Sequence, residues 1–129
     1  MLFATSHKHD MMWREVLRII QEQVPGNQIS LAHIIGGPQP IIYQKLCLNP
    51  DIGYDGAAIG ILTVVPYESS IIAADIATKA ADIYLGFVDR FSGTLIITGE
   101  LAEVTTAVDE IVRYFRDEMG FAACRITKR

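Results

Sequence analysis

The chain has 129 residues, half of them hydrophobic and a fifth charged, with a formal net charge of −4. That length suits one compact domain and is too short for two ordinary ones. The acidic balance and the scattered Lys and Arg argue against a phosphate-tracking basic stripe, so no nucleic-acid partner is expected. No apolar run approaches the roughly 20 residues that span a bilayer, so no membrane is expected either.

Met1-Leu2-Phe3-Ala4 passes at once into Thr5, Ser6, His7 and Lys8, and no signal peptide is expected. Residues 1–18 read as an N-terminal extension, polar and mobile over the first ten. Met12, Trp13, Val16, Leu17 and Ile20 then recur at helical spacing and predict a short amphipathic helix over 11–20. Gln21-Glu22-Gln23-Val24 is an extended segment stopped by Pro25-Gly26. A strand follows over Ile29–Ile35 and ends at Gly36-Gly37-Pro38. Pro40 suits the first turn of a helix over about 40–48, which is expected to present Ile42 and Leu46 to the core.

Asn49 to Gly56 reads as a loop. Ala58–Val65 is almost wholly apolar, the mark of a central strand covered on both faces, and Pro66 ends it. A helix from about Glu68 to Ala81 carries Ile72, Ile76 and Ala80 on one face with Ala73 and Ala77 beside it. Its shortage of bulky side chains suits close approach of a neighbouring subunit. Residues 82–91 and 94–98 form a hairpin around Ser92-Gly93. Leu101, Val104, Val108, Ile111, Phe115 and Met119 predict a second long helix, with Gly120 as its C-terminal cap. Phe121–Ile126 closes the domain as a short strand. The order from Ala58 is βαββαβ-like, an α+β fold with helices packed on an antiparallel-rich sheet. Apolar content at this level exceeds what so small a domain buries in one core, so the surplus is expected at a subunit interface.

Chemistry-bearing residues are sparse. His7 and His9 lie in a tail without fixed geometry, and His33 reads as a packed or interface histidine with one hydrogen bond. Cys47 and Cys124 form neither a metal-ligand spacing nor a disulfide framework, which fits a reducing cytoplasm, and both read as small buried hydrophobes. Asp75 and Lys79 stand at i, i+4 and can pair weakly, unless Lys79 points across a subunit boundary. Asp89 and Arg90 read either as a salt-bridged hairpin end or as part of a loop lining a symmetry axis. Gly36-Gly37 and Ser92-Gly93 lack the context of a phosphate-binding loop. No catalytic, cofactor-binding or metal-binding constellation emerges, and no cofactor is expected.

Ala58-Ile59-Gly60-Ile61-Leu62-Thr63, Ile72-Ala73-Ala74-Asp75-Ile76-Ala77-Thr78-Lys79 and Gly86-Phe87-Val88-Asp89-Arg90-Phe91-Ser92-Gly93 stand in this order along the chain. Together these three segments resemble bacterial microcompartment shell proteins. Residues 20–26 and 28–33, standing in front of them, resemble the circularly permuted hexameric subgroup typified by EutS and PduU. The resemblance covers residues 19–129 and implies a single circularly permuted BMC domain of ferredoxin-like fold. It implies a homohexamer that tiles with other shell proteins around metabolic enzymes, in the shell of a microcompartment in the cytoplasm, without enzymatic activity. Related shells serve ethanolamine, propanediol and choline utilization. By position, Lys79 matches the hexamer-edge lysine, and Phe91, Ser92 and Gly93 match the pore loop. Gln21, Glu22, Gln23 and Val24 match the strand that builds a small β-barrel over the pore, with 20–26 as its segment. Asn27 stands where a lysine is common, and Phe91 replaces the glycine of the ordinary pore loop, making the axis narrower or more apolar. Two rival readings remain. One is a small-molecule-binding regulator or enzyme on a ferredoxin-like fold with a ligand between subunits. The other is a shell ring whose cysteines hold a cluster.

Overall fold

In a computed structural model of the chain, the described residues are 26–39, 41–42 and 57–129. The extension 1–18, all but Gly26 of the segment 20–26 expected to form the barrel strand, and most of the helix expected over 40–48 lie outside them. Among the described residues, six strands and two full helices follow in order: β1 (Gln28–Ile35), β2 (Ala58–Val65), α1 (Ser69–Ala80), β3 (Tyr84–Asp89), β4 (Thr94–Gly99), α2 (Leu101–Asp117), β5 (Ala122–Ala123) and β6 (Thr127–Lys128). They form one mixed sheet of order β3-β4-β2-β1-β5, with β6 also on β1. The pairs β3–β4, β4–β2 and β2–β1 are antiparallel, while β5 and β6 run parallel to β1. β2 is thus central, as its continuous apolar run requires.

Both helices cover one face of the sheet. α2 turns Val104, Ala107, Val108, Ile111, Val112 and Phe115 inward, onto Ala58, Leu62 and Val64 of β2 and Leu95 and Ile97 of β4. Full burial of each large aliphatic is worth about 1.5–3 kcal/mol, so this stripe dominates the stability of the helix. Gly60 sits beneath it with no room to spare: a Cβ there would lie 3.0 Å from Ile97 Cγ1 and 3.0 Å from Val104 Cγ1. α2 stops where Gly120 adopts φ 72°, and the Phe121 N–H turns back to the Phe115 carbonyl at 2.9 Å. The Phe121 ring then meets Phe115 edge-on, with centroids 4.9 Å apart at 75°.

Three expectations need correction. The small side chains of α1 serve the chain's own core: Ala73, Ala74 and Ala77 are buried against the sheet and let the helix approach it closely, while Ile71 and Ile72 face outward. The strand expected over 121–126 is two short pieces. Ala122–Ala123 pair with Gln28–Ile29 and Thr127–Lys128 with His33–Ile34 in one common register, and 124–126 between them lie outside the ladder. At 41–42 the chain makes a helical turn with Ile42 N–H on the Gln39 carbonyl at 2.9 Å, but Ile42 is exposed rather than delivered to the core.

Candidate functional site

The β3–β4 turn is built around Asp89. Its Oδ1 accepts the Phe91 N–H at 2.8 Å and its Oδ2 accepts the Ser92 hydroxyl at 2.8 Å. Ser92 Oγ also lies 3.1 Å from Thr94 Oγ1. The Asp89 carbonyl receives the Gly93 N–H at 2.9 Å and the hydroxyl of buried Ser70 at 3.2 Å, tying the turn to the start of α1. The carboxylate therefore serves its own turn and makes no salt bridge to Arg90. The Arg90 guanidinium instead lies 4.9 Å from the centre of the Phe91 ring, a cation–π contact at the tip. Phe91 itself is 74% exposed.

Donation from the Phe91 N–H, then from the Ser92 hydroxyl, holds the Asp89 carboxyl below its ordinary value of 3.8. A depressed folded-state pKa adds stability that is fully present above the unfolded value and is lost as pH falls through the folded one. The turn is thus expected to loosen only below about pH 4. Amide exchange followed by NMR should show the Phe91 N–H protected at pH 6 and deprotected in Asp89→Ala. In Asp89→Asn the acid-induced change should vanish; persistence of that change would assign it to another group.

Lys79 ends the outer face of α1, its side chain 75% exposed, with Nζ 2.9 Å from Asp75 Oδ2. An exposed i, i+4 pair contributes only about 0.3–0.5 kcal/mol, so it adds little to the stability of the fold. The pair borders an open groove of about 520 Å³ between α1 and α2, lined also by Ile72, Ile76, Thr106, Glu110 and Tyr114. His33 Nδ1 lies 2.5 Å from Thr127 Oγ1, the single side-chain hydrogen bond expected of it. Cys124 is a partly buried free thiol packed on the core, and Cys47 lies outside the described residues. Among the described residues, no three His, Cys, Asp or Glu side chains converge as metal ligands.

The feature missed in the sequence is edge strand β3. Tyr84 (55%), Leu85, Phe87 and Val88 are all exposed, so apolar side chains stand free on both faces of a strand whose outer edge has no partner within the described sheet. The signal was available, since neighbouring rather than alternating residues of this strand are apolar. A solvated edge strand would be expected to alternate.

Residues 58–127 match the BMC domain family model. The chain belongs to the BMC-domain family of bacterial microcompartment shell proteins. It is 47% identical over 111 residues to the shell protein CutR of Streptococcus intermedius, spanning 86% of this chain and 91% of that protein. It is 44% identical over 111 residues to the shell protein PduU of Salmonella typhimurium, spanning 86% and 92%. The flat hexamer of CutR superposes with a TM-score of 0.74 at 40% identity, covering 82% of this chain and 94% of that one. A fused permuted hexameric shell protein from the RMM microcompartment shares the fold at a TM-score of 0.61 and 22% identity, covering 67% and 47%. The permutation is visible in the BMC domain of this chain itself: β1 precedes the matched segment, yet completes its sheet between β2 and β5.

Proposed function

We propose that this shell protein assembles as a closed cyclic homohexamer, tiles edge to edge with other shell proteins around encapsulated enzymes, and works as a structural subunit rather than an enzyme. The observation that carries the reading is β3, an edge strand exposing Tyr84, Leu85, Phe87 and Val88. Monomeric proteins shield such edges, and a ring of repeated contacts buries them without leaving a free end. The flat hexamer formed by the similar CutR supports the same assembly here. In the ring, Phe91, Ser92 and Gly93 line the sixfold axis, where repeated Phe91 side chains give an apolar constriction. Gln21, Glu22, Gln23 and Val24 supply one strand each to a six-stranded barrel over that pore. Lys79 stands at the outer edge, held by Asp75, and meets the adjacent hexamer.

Native mass spectrometry in mild buffer should give a hexamer, and negative-stain microscopy should show sheets. Lys79→Ala should leave the hexamer intact and abolish the sheets. A wild-type chain that stays monomeric at micromolar concentration would overturn the assembly.

A further inference from the structure

We infer that neighbouring copies are joined by an ionic contact between Lys128 and Arg129 on the β6 edge of one copy and Asp82 and Glu103 at the β3 corner of the next. This rests on the ring assembly above and names the surfaces that close it. The last five residues carry Arg125, Lys128 and Arg129 and no acidic side chain, whereas the acidic residues of the described part fall from Glu68 to Glu118, with Lys79, Arg90, Arg113 and Arg116 among them. Lys128, Arg129 and Asp82 are exposed and Glu103 is half-buried. None of the four joins an ion pair among the described residues. Glu103 Oε2 accepts the Asp82 N–H at 3.0 Å, which fixes the two carboxylates as one corner.

The sheet register sets the two corners at the same height. Lys128 pairs with Ile34, Ile34 with Gly60, Gly60 with Ile97 and Ile97 with Leu85, so one row runs from the basic edge to the second residue of β3. Asp82 lies just before that strand. Four spacings of about 4.8 Å separate the ends of the row by roughly 19 Å. A cyclic head-to-tail contact needs two different surfaces, on opposite sides of the protomer and level along the axis; a two-fold contact needs one self-complementary surface. Opposite charges at opposite edges of one row meet the first requirement. A two-fold pairing of either corner with itself would set like charges together. The apolar β3 residues beside Asp82 supply the desolvated part of the contact, and the charges select which edge they meet.

A water-soluble carbodiimide, which joins an amine directly to a carboxylate, tests this on the assembled wild-type protein. Peptide mapping should find Lys128 linked to Asp82 or Glu103 of a second chain, with a covalent ladder rising to six. The roughly 19 Å between the ends of the row keeps Lys128 from reaching Asp82 within one chain, so the Lys128–Asp82 link is the diagnostic one. Lys128→Glu with Arg129→Glu should raise the concentration of half-dissociation at least about tenfold, and adding Asp82→Lys should recover most of that loss. Circular dichroism should show unchanged helix content in each variant, separating a lost contact from lost folding. A hexamer without the cross-link, whose charge-reversed variant dissociates like wild type, overturns the ionic contact and leaves the ring standing. A monomeric wild type overturns the ring, and the contact with it.

Discussion

Gly93→Ala is expected to cost about 3 kcal/mol or more and to lower the melting temperature by roughly 10 °C. Two physical effects add. Gly93 holds φ 74°, a left-handed conformation that costs a residue with a Cβ about 1–2 kcal/mol. The new Cβ would also stand 2.2 Å from the Val64 carbonyl oxygen and 3.0 Å from Tyr67 Cδ1. The nearer contact is backbone and cannot rotate away, so the turn must lift off the end of β2. That movement would strain the bond from the Val64 N–H to the Gly93 carbonyl, now 2.9 Å. Thermal denaturation of the variant tests this, and a melting temperature within about 3 °C of wild type would refute it.

Phe115→Ala is expected to cost about 3–5 kcal/mol, since it removes a fully buried ring where surrounding elements cannot collapse into the space. The edge-on contact with Phe121 is lost as well, worth about 0.5–1.5 kcal/mol beyond area. The backbone bond from Phe121 to Phe115 does not depend on the side chain, so the end of α2 should remain in place. Urea unfolding should therefore show a lower midpoint with an unchanged slope. Phe115→Leu, which keeps most of the volume, should cost less than half as much; equal losses would mean that shape rather than volume is decisive.

The elements that were legible in the sequence are those whose burial is decided locally. β2 is covered on both faces and reads as a continuous apolar run, and α2 is covered on one and reads as a 3–4 spacing. β5 and β6 were harder, because each is only two residues long and pairs with β1, nearly a hundred residues earlier in the chain. The use of Ala73 and Ala77 was ambiguous for a different reason. Small residues permit close approach, but only the tertiary fold says whether the approaching surface is the chain's own sheet. The role of Asp89 could have been found: an aspartate followed by Ser92 and Gly93 in a tight turn tends to accept from backbone just ahead of it. The roles assigned to Lys79, Phe91 and Gln21–Val24 come from resemblance and position, since no local chemistry marks an axis or an edge.

The pairing of β1 with β6 also sets a timetable. His33 finds its hydrogen-bond partner 94 residues later, at Thr127. At about 5–20 residues per second, ribosomal synthesis separates the two by roughly 5–20 s. Until the last residues are made, β1 lacks both β5 and β6, and the basic edge does not yet exist. The ring-closing contact proposed above uses that edge, so it forms only once residues 127–129 have been made.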